Sequence, residues 1–275
     1  MSNVLKGAIK YVVLCVLGSV FLFPFFWLIS CSLRTPDQLM TSPPRLIPLH
    51  PTMQAFLTVL TSTDIPRYFF NTVVVAGTAT ALCILIAVPA GYSFARHRYR
   101  AKNLIMLLIL LCNMVPQAST LVPLYRIIND LGLIDNKFTL SVTHLLCMLP
   151  FSIIMIRGFI STLPKTLEEA AMIDGCNKPG ILFRIILPIS APGIFATSMY
   201  AFMISWEEFI YSMTFTTSKY ARTISVGLQM FSTEFKTDWA LILASSVMMT
   251  IPILLLFLSI QDVFIASAVG GAIKE

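Results

Sequence analysis

The sequence predicts an all-α polytopic membrane protein with six transmembrane helices and both termini on the cytoplasmic side. Three observations carry this. Hydrophobic residues fill 57% of the 275 positions and charged residues only 12%, with a mean hydropathy of +0.83. Soluble domains carry about a quarter charged residues, so this chain would present an oily surface to water and is suited to lipid as its solvent. The apolar residues are also grouped, in six uncharged runs: Tyr11–Leu33, Tyr68–Ala95, Asn103–Tyr125, Phe138–Ile156, Ile185–Trp206 and Ala240–Gln261. Each is long enough to cross about 30 Å of hydrocarbon as a helix. Finally, the most basic stretch, Arg96-His97-Arg98-Tyr99-Arg100-Ala101-Lys102, separates the second run from the third, and the positive-inside rule puts it in the cytoplasm.

The first run follows Lys6 and Lys10 and is 23 residues long without a charge. A signal peptide has a similar opening, but no small-x-small cleavage site follows, so an uncleaved first span with a cytoplasmic N-terminus is expected. The fifth run is expected to begin nearer Ala191 and to continue past Trp206. Prolines inside the spans (Pro24, Pro89, Pro116, Pro123, Pro252) interrupt helical hydrogen bonding. They serve either as bends in a bundle that opens and closes or as static packing irregularities. One transmembrane domain over 1–275 is expected.

The loops follow from this orientation. Arg34 to Arg67 is proline-rich (Pro36, Pro43, Pro44, Pro48, Pro51, Pro66) with little helical period, and reads as a folded-back or extended outer segment. Arg126 to Lys137 balances two positive against two negative residues, as an outer loop can. A second long outer loop, Ser212 to Trp239, mixes Lys219, Arg222, Glu234, Lys236 and Asp238 with aromatics. The net charge of +6 is spread over loops and forms no single stripe, which argues against nucleic acid as a partner. The six cysteines are scattered without a C-x-x-C or Cys/His pair, as small packing residues in reduced form would be.

Between the fourth and fifth runs, on the cytoplasmic side, lies the stretch 163–188. Thr166 and Glu169 have capping-box spacing, so a short helix is expected from Leu167. Leu167, Ala170, Ala171 and Asp174 fall on one face at helical spacing, and the adjacent alanines leave a shallow surface for a second protein. Gly175 sits where a helix ends in a left-handed residue. Pro179 can open a second helix that runs through Ile185 and stops near Pro188. Helix, tight turn and helix at a membrane surface suit a docking knob better than a catalytic loop.

Glu169-Ala170-Ala171, three residues, Gly175, nine residues, then Ile185-Ile186-Leu187-Pro188 resembles the EAA loop of binding-protein-dependent ABC importers. The resemblance extends through Pro123-Leu124-Tyr125, Leu131-Gly132-Leu133, Pro150-Phe151, Arg157-Gly158-Phe159, Pro192-Gly193, Trp206 to Phe209, Val226-Gly227-Leu228 and Gly271-Ala272-Ile273-Lys274. These look like the sugar branch, the maltose-type second permease family. The match covers about Tyr68 to Glu275. Two places depart from that pattern: Glu207 stands where the family usually has Asn, and Ala266 to Gly270 differs from the usual glycine-threonine pattern.

What the resemblance implies is a type I ABC importer permease in the bacterial cytoplasmic (inner) membrane. It would form half of a sugar pore with a second homologous permease, beside a dimer of cytoplasmic ATPases and an extracytoplasmic sugar-binding protein. The loop would be the coupling helix, with Glu168, Glu169, Ala170, Ala171, Asp174 and Gly175 as the ATPase-coupling residues: Glu169 for a polar contact, the alanines for close approach, Gly175 for the turn. The chain would bind no cofactor, because ATP and Mg would sit on the partner ATPase. It carries no G-x-x-x-x-G-K-[ST] loop to cradle phosphates. Nor does it carry a catalytic or metal-binding motif.

Trp206-Glu207-Glu208-Phe209 is the sharpest feature within the spans. A charge at the centre of a membrane helix costs about 2.5 kcal/mol or more, so such residues usually face a bundle interior or water. The pair therefore lines the transport path or a subunit contact, or else lies solvated at the outer headgroups. Asn113, Gln117 and His144 are further polar residues in spans, and hydrogen bonding between helices competes with a pathway role for each. Other classes remain open at this point. One is an ABC permease for a glycerol-phosphate-like polyol. Another is an ion-coupled secondary transporter, which would need mid-membrane acids that the spans lack apart from this pair. An intramembrane enzyme would need a nucleophile and base, for which no motif is present.

Overall fold

The computed structural model describes residues 3–233 and 237–272, with side chains at 7 and at 9–233 and 237–259. Glu234, Lys236 and the tail from Ile273 lie outside the described residues. Among the described residues the secondary structure is helical apart from one isolated bridge between Ser232 and Thr237. Contacts divide the chain into two compact units, Met1–Pro66 with Gly227–Leu254, and Arg67–Val226 with Leu255–Glu275.

The first unit opens with α1 (Asn3–Ser32), an apolar helix whose side chains are exposed along most of its length. Such a surface is stable only against lipid or a partner helix. The proline-rich segment after it folds back on the helix end, as expected. The buried Arg34 pins it: Nη2 donates to Ser30 Oγ at 3.0 Å and to the carbonyls of Arg45 and Leu46, and its guanidinium lies 5.1 Å over the Trp27 ring. The segment also holds helices the sequence did not announce, α2 (Pro36–Leu39) and α3 (Gln54–Ser62). Pro36 opens the first of these, where its missing N–H costs nothing.

The second unit contains α4 (Ile65–Arg96) from Arg67 onward, α5 (Lys102–Cys112), α6 (Gln117–Asp130) and α7 (Lys137–Thr162). Three short helices follow: α8 (Thr166–Ile173), α9 (Lys178–Ile181) and, beyond a π-helical turn at Leu182–Ile186, α10 (Leu187–Ile189). It continues with α11 (Ala191–Glu207) and α12 (Ile210–Phe215). The last helices described, α13 (Ile224–Gln229) and α14 (Trp239–Ala272), are each divided between the two units.

Among the described residues, four helices are long and apolar enough to cross a membrane: Ile9–Ser32, Ile65–Arg96, Lys137–Thr162 and Trp239–Ser259. Two bent pairs pass the same test together, α5 with α6 at 93° and Lys178–Ile189 with α11 at 79°, and the count is six when each pair is one span. The third run is therefore not the continuous helix its lack of charge suggested. Pro116 has no N–H to donate and drives the residue before it out of the helical region, so α5 ends at Cys112 and α6 starts afresh at Gln117. The fifth helix starts at Ala191 as expected. It ends at Glu207, because Glu208 turns to extended backbone (ψ 126°).

α11 packs along α7, and two glycines set how closely. A Cβ on Gly193 would lie 2.3 Å from the Phe159 ring, and one on Gly91 of α4 would lie 2.6 Å from Ile156 Cγ2. The inner end of α7 is thus held between α4 and α11. Two separated sequence pairs, Pro192-Gly193 and Gly158-Phe159, matter because they meet. Below them a buried cluster of Tyr92, Phe94, Ile156, Ile160, Ala171, Ile181 and Ile186 joins these helices to the 163–188 stretch.

Candidate functional site

The predicted site residues fall mainly in two places among the described residues. The first is α8 and its seat. Helix α8 begins at Thr166, preceded by Lys165 in helical conformation, and its first bonds run from the N–H groups of Glu168 and Glu169 to the Lys165 carbonyl. The expected capping box from Thr166 to Glu169 does not form, since the backbone itself supplies those partners. The C-terminus is as expected. Cys176 N–H bonds to the Ala171 carbonyl at 2.9 Å and Gly175 N–H to the Met172 carbonyl at 3.1 Å, with Gly175 at φ +82°. This is a Schellman ending, which needs a residue that tolerates the left-handed region. The second helix opens at Lys178 with Pro179 in its first turn, as expected, and the Asn177 side chain caps it by accepting from Gly180 N–H at 2.8 Å.

The inward face of α8 differs from the expected one. Ala171, only 4% exposed, packs into the cluster beneath, so it is a seat residue and not part of the shallow outer surface. Glu168 is buried as well. Its carboxylate pairs with Arg96 Nε and accepts from Tyr92 Oη at 3.1 Å, while Arg96 Nη2 donates to the Leu163 carbonyl at 2.9 Å. Leu167, Glu169, Ala170, Ile173 and Asp174 remain on the outside, with Ile173 87% exposed. Of Leu167, Ala170, Ala171 and Asp174, which the helical period groups on one face, Ala171 is the buried one. Arg96 stands in the basic stretch that sets orientation, and nothing local in that stretch announces its partner Glu168, 72 residues away.

The second place surrounds the end of α11. Trp206 is fully buried, edge-on to Phe69 at 5.6 Å and stacked with Phe202 at 5.5 Å. Glu208 is buried with both carboxylate oxygens occupied. Oε1 accepts from Gln117 Nε2 at 2.8 Å and Tyr211 N–H at 2.7 Å. Oε2 accepts from the N–H and hydroxyl of Ser212, each at 2.9 Å, and lies 3.2 Å from His144 Nε2. His144 Nδ1 in turn meets Ser205 Oγ at 2.7 Å, and Ser225 Oγ donates to the Glu208 carbonyl at 2.9 Å. This one side chain caps α12 and joins α6, α7 and α11. Glu207 is exposed, and with Glu208, Gln117, Cys147, Ile204, Phe209 and Ile210 it lines a shallow concavity of about 300 Å³. Asn113 is exposed at the α5–α6 break. Gln117 and Glu208 are therefore brought together, and Glu207 shares their concavity but is exposed where Glu208 is buried.

On the loop side of α12, Asp135 ties two connecting segments. Its carboxylate accepts from Thr217 N–H and Oγ1, both at 2.7 Å, and from Ser218 N–H at 3.0 Å, while its own N–H donates to the Phe215 carbonyl. Partial burial alone would raise its pKa. The hydrogen bonds from Ser218 and Thr217 outweigh this and hold the carboxyl below the usual aspartate value.

Candidate membrane helices, two of them bent pairs, with an anchored helix–turn–helix between two of them give the architecture of a polytopic membrane subunit. Residues 84–268 match the family described as binding-protein-dependent transport system inner membrane component, and the chain belongs to that family of ABC-importer permeases. Among relatives, it is 33% identical to the sulfoquinovosyl glycerol transport system permease protein SmoH of Agrobacterium fabrum, over 92% of this chain and 89% of the relative. It is 32% identical to the trehalose/maltose transport system permease protein MalG of Thermococcus litoralis, over 98% and 95%. The fold is similar to a subunit of a bacterial ABC transporter that imports the acidic polysaccharide alginate, with TM-score 0.80 and 19% identity over 95% of this chain and 98% of that one. The chain is an integral component of the inner membrane, as the family description states. Family membership sets aside the ion-coupled carrier.

Proposed function

We propose that this chain, acting as one permease domain over 1–275, forms half of the translocation pore for a mono- or oligosaccharide. A soluble binding protein delivers the sugar, a second homologous permease completes the pore, and a dimer of cytoplasmic ATPases drives it. The carbohydrate reading is supported by the relatives, whose names refer to sulfoquinovosyl glycerol, trehalose/maltose and, for a Streptomyces coelicolor relative, diacetylchitobiose. ATP and Mg bind on the partner, which also performs the hydrolysis.

The observation that carries the coupling reading is the division of α8 into two faces. Glu168 and Ala171 hold it to the bundle, and Leu167, Glu169, Ala170, Ile173 and Asp174 face outward. A helix fixed on one side and open on the other can transmit a push without absorbing it. Glu169 offers a polar contact to the ATPase, Ala170 allows close approach, and Gly175 sets the turn. ATP binding brings the two ATPases together, the push passes through α8, and the bundle changes the side on which it is open. At the other place, Trp206 and Glu208 hold the architecture. Glu207, Gln117 and Asn113 are the candidates for contact with the path or the partner permease, since an exposed carboxylate in a membrane helix faces water or a polar group rather than lipid.

The test is affinity purification of the tagged chain from detergent with mass spectrometry of its companions, and uptake of radiolabelled maltose, trehalose and glycerol 3-phosphate. A second permease and an ATPase should co-purify, with uptake of a sugar but not of the phosphate. A homodimer without an ATPase would overturn the importer reading; uptake of the phosphate alone would overturn the carbohydrate reading.

A further inference from the structure

We propose that Arg96, Glu168 and Tyr92 form the joint through which movement of α8 is passed into α4, with Arg96 and Glu168 as positioning residues for coupling; the inference rests on the importer reading above. Three observations support it. The ion pair is nearly dry, its side chains 7% and 12% exposed for Arg96 and Glu168. It is also doubly tied: Tyr92 Oη donates to the second carboxylate oxygen, and Arg96 uses a separate nitrogen for the Leu163 carbonyl. One guanidinium therefore grips both the helix and the segment that leads into it, a geometry that a lysine point charge cannot reproduce. Finally, Tyr92 and Arg96 are one helical turn apart at the end of α4, so both contacts fall on one edge of a single long helix.

Beside this group, α8 is seated on the apolar cluster beneath it through Ala171, a small side chain. An apolar seat alone permits sliding and rolling, because packing forces are not directional. A buried charge pair fixes register, since displacement by a few ångströms leaves two desolvated charges without partners. The pair therefore makes α8 and the end of α4 move together. The Gly91–Ile156 approach then holds α4 against α7.

The experiment uses the full complex in nanodiscs, with the native cysteines replaced and spin labels at Arg98→Cys and Ile173→Cys. The variants are Glu168→Gln, Arg96→Gln and the exchange Arg96→Glu with Glu168→Arg. Distances are measured by pulsed electron resonance, and ATP hydrolysis with and without the binding protein by phosphate release. The single variants should broaden the distance distribution and reduce binding-protein stimulation of hydrolysis about tenfold, and the exchange should recover most of both. A merely structural role would lower the amount of complex without changing stimulation per complex. Unchanged distances in both single variants would overturn the joint. Broadened distances with full stimulation would overturn transmission through the pair and leave the importer reading intact. If the wild-type chain brings no ATPase with it, the importer reading fails. If a single variant does not assemble, Tyr92→Phe, which removes one hydrogen bond, is read the same way with a smaller expected broadening.

Discussion

The chain contains two pairs of adjacent glutamates, Glu168-Glu169 beside the membrane and Glu207-Glu208 at the end of α11, and each pair divides in the same way. One member is buried and occupied: Glu168 by Arg96 and Tyr92, Glu208 by Gln117, His144 and the start of α12. The other, Glu169 or Glu207, is exposed. The two anchors differ in completeness. Glu208 has five protein groups on its two oxygens and closes a hub between four helices, whereas Glu168 has two partners at the edge of the bundle. A carboxylate saturated from several elements fixes architecture. One held from a single neighbouring helix fixes only the element that carries it, which is the requirement for a part that transmits motion.

The largest expected effect is at the more complete anchor. Glu208→Ala strands two backbone N–H groups, a serine hydroxyl, Gln117 and His144 in a buried site, a loss on the order of 3–5 kcal/mol. Far less folded chain should be recovered from membranes, with a lower thermal midpoint in detergent, whereas Glu207→Asn should leave both unchanged. Next come the two alanines. Ala171→Arg forces a long charged side chain into the seat, so it should lower the midpoint as well as uptake. Ala170→Arg should abolish uptake with the midpoint unchanged, and equal behaviour of the two would contradict the division of α8 into faces.

Smaller again is Glu169→Ala, which should preserve assembly and reduce uptake several-fold, on the scale of about 1 kcal/mol for one exposed polar contact. The smallest effect concerns Asp135. Its pKa is depressed in the folded state, so its contribution to stability is present above the unfolded aspartate pKa and is lost as pH falls through the lower folded value. Thermal midpoints measured downward from about pH 5 should show this acid limb. Asp135→Asn should flatten it while leaving the rest of the pH profile in place.

Much of this was legible in the sequence, for identifiable reasons. Span number and order follow from long uncharged runs, because hydrocarbon tolerates nothing else over about 20 residues. The turn at Gly175 follows from the local chemistry of helix ends. Breaks were harder. Pro116 was visible, but whether a proline kinks a span or splits it depends on the surrounding packing. The chain splits there by 93°. Burial direction was hardest. Helical period placed Ala170 and Ala171 together, yet α8 turns its Glu168–Ala171 edge inward because Arg96 and Tyr92, 72 and 76 residues away, provide a partner for the charge. Likewise His144 and Ser205 are 61 residues apart, and nothing local in either segment announces their contact.

The central claim is that the outward face of α8 meets an ATPase. It is tested most directly by site-specific cross-linking in intact membranes, with a photoreactive phenylalanine at Ile173, 87% exposed, and at Leu131, 65% exposed in the loop after α6 as a control. The account predicts a cross-link from position 173 to a subunit with nucleotide-binding motifs, identified by mass spectrometry, and none to it from position 131. Cross-links to the ATPase from position 131, or from neither position, would contradict it.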